Sequence, residues 1–163
     1  MSAILEIISE HNELKSYIED SLSDFTGKRV GLAVSGGGDS LALLHATVGW
    51  ARKYSIEVKV ATVDHGLRVS SADEAHFVKE TCAKLLCKHF VLFWDKPKKI
   101  KNLQNSAREA RLDLLTEWAK LEGIPVILLG HSADDQVETI LMNFIRGSGL
   151  EGLRGMPSEF RYG

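Results

Sequence analysis

Apolar positions along this chain change period from stretch to stretch, and each change marks an element. Ile4, Leu5, Ile8, Leu14, Ile18, Leu22 and Phe25 recur mostly three or four apart, which predicts one or two amphipathic helices leading into a strand. Residues 30–34 form a short apolar run that breaks at Ser35-Gly36-Gly37-Gly38-Asp39-Ser40. Leu41, Leu43, Leu44 and Ala46 follow in a helix-friendly segment reaching about Tyr54, so the reading is strand, loop, helix. Residues 58–63 read as a second buried strand ending in Asp64-His65-Gly66. A helix over about 72–86 can be capped by Ser70, Ser71 or Asp73, and residues 89–94 make a third strand. The basic loop Lys96-Pro97-Lys98-Lys99-Ile100-Lys101 leads to a long helix with Leu103, Ala107, Ala110, Leu114, Trp118 and Leu121 on its buried side. Gly123-Ile124-Pro125 ends it. Residues 126–129 are a fourth strand, and a last helix over about 134–146 buries Val137, Ile140, Leu141, Phe144 and Ile145. The glycine-rich stretch 147–157 carries spaced Leu and Met and reads as an ordered loop or a short helical turn.

Strands alternate with helices, and the strands are apolar on both faces, which predicts a parallel sheet covered on both sides. The expected fold class is α/β, doubly wound. In such sheets ligands sit at the carboxyl ends of the strands. Three polar signatures fall there: residues 35–40 after the first strand, Asp64-His65 after the second, and Gly130-His131-Ser132 after the fourth. Their coincidence is the argument for one active site.

With 163 residues the chain is one domain by length, residues 1–26 forming a helical extension. The formal charge of −2 argues against coating nucleic acid by charge alone, without excluding a local basic patch. No apolar run is long enough for a membrane span and no basic-then-apolar leader opens the chain, so a cytoplasmic protein without a membrane partner is expected. Cys82 and Cys87 fit neither a CxxC redox pair nor a zinc knuckle and read as reduced structural thiols. The oligomeric state stays open, a homodimer included.

The chemistry concentrates in residues 35–40. Consecutive glycines remove the Cβ atoms that would hold a ligand off the backbone, and they tolerate positive φ, so several N–H groups can point at one anion. The helix starting near Ser40 adds its own unpaired N–H groups and the positive end of its dipole. A Walker A loop would place Lys and then Ser or Thr where Asp39 and Ser40 stand, and a Rossmann fingerprint needs spaced glycines. An acid in a phosphate loop repels its ligand unless a cation lies between them, so Asp39 is expected to face Mg²⁺. Ser-Gly-Gly-x-Asp-Ser resembles the pyrophosphatase loop of the N-type ATP pyrophosphatases, which split ATP between its α and β phosphates.

His131, Asp134, Asp135 and Glu138 stand at a strand-to-helix turn. Asp134 and Asp135 lie four and three residues before Glu138, so one helix face can present carboxylates toward the loop. Helix capping by Ser132 with two favourably placed aspartates is the plainer reading, but it needs neither the His nor the third acid. His65 is either a hydrogen-bond donor to a nucleotide or a loop residue. Arg108 and Arg111, three apart, can pair with phosphate or carboxylate in a bidentate fork or simply line a solvated face; the lysines upstream are open to RNA contact or to solvation alone.

Three stretches together name a family. SGGGDSLALLH, VDHGLRVSSADEA and LLGHSADDQVETILMNFIRGSGLEGLRGM, with NLQNSAREARLDLL between them, are similar in order and spacing to the catalytic domain of tRNA(Ile)-lysidine synthases, over roughly residues 29–156. The resemblance implies ATP-dependent attachment of L-lysine to the wobble cytidine of a tRNA(Ile) with a CAU anticodon. It implies that Ser35, Gly36, Gly37, Gly38, Asp39 and Ser40, with Asp64, His65 and His131, bind ATP. Asp39 and Asp135, or Glu138 in place of the latter, would hold Mg²⁺. Arg111, Asp134 and Glu138 would bind lysine, and Asp39, Arg111, Asp135 and Glu138 would form the catalytic set. Family members continue well past the GLRGM loop into a C-terminal tRNA-binding region, so a fragment of a longer protein is expected. The rival readings are a tRNA 2-thiolase or amidotransferase-type ATP pyrophosphatase, and a non-catalytic ATP-binding module.

Overall fold

The computed structural model describes residues 14–16, 18–20, 22–23, 25, 27–66, 71–95 and 103–130. The chain divides into two compact units, Met1–Leu129 and Gly130–Gly163, and the described strands and helices all belong to the first. The strands are β1 (Arg29–Ala33), β2 (Glu57–Asp64), β3 (Lys88–Phe93) and β4 (Ile127–Leu129). The helices are α1 (Gly38–Lys53), α2 (Ser71–Lys84) and α3 (Leu103–Glu122). The sheet runs β3-β2-β1-β4 with every pairing parallel. The expected doubly wound α/β architecture is what forms.

Side chains alternate between the two faces of a strand, and the two faces here feed two cores. Val30, Leu32, Val34, Val58 and Val60 pack with Leu44, Val48 and Trp50 of α1 and with Val78 and Cys82 of α2. Ile18 and Leu22 of the N-terminal stretch join that cluster; residues 14–16 and 18–20 are helical, as the spacing predicts, while Ile4, Leu5 and Ile8 lie outside the described residues. Ala33 and Ala61 pack on the other face with Leu115, Trp118, Ala119 and Ile124. Small residues are needed on this face. A Cβ at Gly31 would come within 3.0 Å of Ile124 Cγ2 and 3.1 Å of Trp118 Cζ3, so glycine is what lets the indole lie on the sheet.

The buried side of α3 keeps Trp118, with Ala107, Ala110 and Leu114 half-buried, but departs from the expected one at its two end leucines. Leu115, Trp118 and Ala119 are buried, whereas Leu121 is 80% and Leu103 43% exposed. The cause lies in the sheet. Lys59, inside β2, has a side chain only 7% exposed, and its Nζ meets Glu122 Oε2 at 2.6 Å at the carboxyl end of α3. Trp118 and Glu122 are one turn apart, so pairing Glu122 with Lys59 while seating Trp118 on Gly31 turns Leu121 to the flank. Burying a lysine unpaired costs several kcal/mol, more than a surface leucine gains by burial. Lys59, like Thr62 in the same strand and His89 in β3, departs from strands apolar on both faces.

Candidate active site

All four strands are parallel, so their carboxyl ends share one edge of the sheet. Residues 35–40 leave β1 there, and Asp64 ends β2 there. The loop is folded by its two serines. Ser40 is 5% exposed, its hydroxyl donates to Gly37 O at 2.8 Å, and it lies 3.3 Å from both the Ser35 amide nitrogen and Ser35 Oγ. The Ser40 side chain therefore clasps the loop from inside, and only its backbone N–H is left for an anion.

Of the three glycines, Gly36 alone takes a positive φ, +92°; Gly37 is extended and Gly38 opens α1. The expectation of left-handed freedom thus holds at one position, and the other two glycines serve by lacking a side chain. Among the described residues, a Cβ at Gly38 would meet nothing within 4 Å, and one at Gly37 only Ser35 Oγ at 3.6 Å. Gly36 instead packs toward the first turns of α2, where its Cβ would lie 3.4 Å from Glu74 Cβ. The N-cap of α1 is Gly37, with no side-chain cap. Helix geometry leaves the N–H groups of Gly38, Asp39 and Ser40 without intrahelical acceptors, and no capping oxygen competes for them. An anion in front of the glycines meets several donors and the positive end of the helix dipole.

Asp39 is exposed in the first turn of α1, as a carboxylate that is to face a cation must be. Asp64 Oδ1 accepts the Gly66 N–H at 2.7 Å and its carbonyl accepts the Trp94 N–H at 3.1 Å, so this acid shapes the turn after β2 and ties it to the end of β3. The His65 ring stands edge-on to Trp94, centroids 5.8 Å apart. Arg111 lies half-buried about two turns into α3, a helix that begins at the same edge. His131, Asp134, Asp135 and Glu138 lie outside the described residues. Among the described residues no group of three His, Cys, Asp or Glu gathers as metal ligands.

Two residues at the root of the loop escaped the sequence reading. Thr62 is buried, its Oγ1 donating to Val34 O at 2.9 Å and lying 2.9 Å from His89 Nε2. A hydroxyl inside an apolar strand was the available signal. Burial, with Lys79 nearby, pushes the His89 imidazole below its ordinary pKa. The cysteines sit away from this edge. Cys82 is buried late in α2, its thiol pushed up to about 12 by burial, and Cys87 immediately precedes β3 at the amino edge, its thiol also raised by burial. Protonated thiols at the far edge supply no nucleophile to the loop.

Residues 9–163 match a family model described as a PP-loop domain. The chain belongs to this family. ATP use goes with that membership. The chain is 42% identical over 144 residues to the tRNA(Ile)-lysidine synthase of Ruegeria pomeroyi, covering 88% of this chain and 34% of that protein. It is 45% identical over 130 residues to the tRNA(Ile)-lysidine synthase of Rhodopseudomonas palustris, covering 78% and 38%. The chain thus spans about a third of the length of the curated relatives it matches. Among solved structures, the U34-tRNA thiolase NcsA of Methanococcus maripaludis with its 4Fe-4S cluster superposes with a TM-score of 0.74 at 18% identity, over 86% of this chain and 52% of that one. An ammonia-dependent NAD synthetase from Campylobacter jejuni gives 0.53 at 12%, over 88% and 75%. Both show the shared fold. Among the described residues of this PP-loop domain, no helix is long and apolar enough to cross a membrane.

Proposed function

We propose that this PP-loop domain is the catalytic part of a tRNA(Ile)-lysidine synthase, acting in the cytoplasm on ATP, L-lysine and a tRNA(Ile) bearing a CAU anticodon. The observation that carries the proposal is the uncapped, side-chain-free face of residues 37–38 at the carboxyl edge, in a chain 40–45% identical to proteins of that name. In this reading the cytidine O2 attacks the α-phosphorus of ATP, the α–β phosphoanhydride breaks and pyrophosphate leaves. The lysine amine then attacks C2 of the activated base and AMP departs. The N–H groups of residues 36–40 hold the leaving pyrophosphate, each charge-assisted bond contributing roughly 1.5–3 kcal/mol. Asp64 and His65 border the nucleotide after β2, with His131 after β4.

Asp39, with Asp135 or Glu138, would hold Mg²⁺, a hard cation suited to carboxylate oxygens, which would offset charge on the phosphates. Asp134 and Glu138 would take the lysine ammonium and Arg111 its carboxylate. The rival based on the two cysteines, a thiolase, is disfavoured by their place at the amino half of the sheet.

The test is pyrophosphate release from ATP by this chain, with and without lysine, with CAU-anticodon tRNA(Ile) or with an unrelated tRNA. Release that depends on the CAU tRNA, followed by lysine incorporation, supports the proposal. Release with unrelated tRNA, or incorporation of sulfur in place of lysine, overturns it. Mg²⁺-dependent ATP binding without release would favour a binding module, and the same assay on a chain of the relatives' full length then decides.

A further inference from the structure

Thr62 carries a hydroxyl in a place where valine would fit the same space. Its proton goes to Val34 O, the last carbonyl before the phosphate loop. A carbonyl only accepts and a hydroxyl has one proton, so the 2.9 Å contact with His89 must be donated by the ring, through Nε2–H. The strand order β3-β2-β1 sets Thr62 between the other two: it lies level with Val34, one residue past the Ala33↔Ala61 pair, while His89 pairs with Val60 and its ring reaches Thr62 diagonally. The β1–β2 register ends at Ala33↔Ala61, and one residue on Val34 N–H still donates to Ala61 O at 2.9 Å. The peptide unit on either side of Val34 is therefore fastened by backbone on one flank and by the Thr62 hydroxyl on the other, just before the chain leaves the sheet.

We propose that Thr62 and His89 are positioning residues for the phosphate loop: a His89–Thr62–Val34 relay across three strands fixes the direction in which residues 35–40 depart. This deepens the proposed reading of the loop as the ATP site and rests on it for its functional consequence. A loop whose N–H groups are held in one direction loses less freedom when the anion arrives, so loosening its root weakens binding without touching a ligand contact. The neutral ring favoured by burial has two tautomers, and the relay selects the one protonated at Nε2.

The test compares Thr62→Val, Thr62→Ser, His89→Gln and His89→Leu by amide hydrogen exchange in two peptides, 33–42 at the loop and 110–120 in α3, and by equilibrium binding of ATP. Thr62→Val is expected to speed exchange about tenfold at the loop alone and to raise the ATP Kd about tenfold. Thr62→Ser restores both, because it keeps the hydroxyl. His89→Gln, which keeps an N–H donor, stays near the parent, while His89→Leu shifts both by about threefold. Unchanged loop exchange in Thr62→Val, or equal acceleration in both peptides, overturns the relay. If the parent protein binds no ATP while Thr62→Val still loosens only the loop, the ATP reading falls and the relay stands. If the parent binds ATP and Thr62→Val moves neither readout, the relay falls and the reading stands.

Discussion

The two edges of the parallel sheet use polar residues in opposite ways. At the amino edge and in the lower strands, charge is matched to charge: Arg29 Nε donates to Glu57 Oε2 at 2.9 Å, Lys88 approaches the same carboxylate at 3.5 Å, and Lys59 meets Glu122. At the carboxyl edge the polar side chains are spent on shaping backbone. Ser40 folds the loop, Asp64 its own turn and Thr62 the Val34 carbonyl just past β1, and no described side chain stands in front of the Gly38 backbone. Ion pairs closed on each other hold a fold, whereas donors held in place without acceptors hold a ligand. The contrast separates stability from function by position along the same strands.

The sharpest way to break that contrast is at Asp39. Asp39→Asn should lower pyrophosphate release from ATP about a thousandfold, ~4 kcal/mol at the transition state, while unfolding free energy changes by less than about 1 kcal/mol. Steady-state release and urea titration of one preparation would check it, and release at the parent rate would remove Asp39 from the chemistry. At the other edge, Glu122→Gln strands the buried Lys59 ammonium and should cost about 3 kcal/mol of stability with ATP affinity unchanged. Lys59→Met removes the buried charge itself and leaves the more exposed Glu122, so it should cost less. Equal losses in a denaturation series would refute the asymmetry.

A smaller effect sharpens the comparison within one residue. Gly38→Ala puts a methyl where no described residue lies within 4 Å, in the first turn of a helix. Stability should rise by about 0.5 kcal/mol while ATP binding weakens about tenfold. A variant that binds ATP as the parent does would show that no ligand approaches that face.

The smallest expected effect is a pH slope. Burial and Lys79 hold the His89 pKa below 6.5, so the unfolded chain takes up that proton first. The His89 contribution to stability is complete above about pH 6.5 and is lost as pH falls through 6.5 toward the folded value. His89→Gln should flatten that part of the stability profile relative to the parent. Parallel profiles would contradict the shift.

Much of the fold was legible from the residues. Strand, loop and helix around residues 30–54 follow from a change of hydrophobic period at a run of glycines, and the observed bounds of β1, α1 and β2 differ from the expected ones by a residue or two. Helix ends were less legible, because Ser70, Ser71 and Asp73 can each cap α2; it opens at Ser71. The roles within the loop could not be read from its glycines alone, since only the backbone conformation distinguishes Gly36 at +92° from Gly37 and Gly38.

The sequence by itself determined the order of the elements, the α/β class and the position of the phosphate loop, because periodicity and glycine placement act over a few neighbouring residues. The tertiary structure decided which side of α3 is buried, that Lys59 finds Glu122 sixty-three residues away, and that His89 and Thr62 meet beside the root of the loop. Those outcomes depend on strand order and register, which bring distant residues to one face only when the whole sheet has formed.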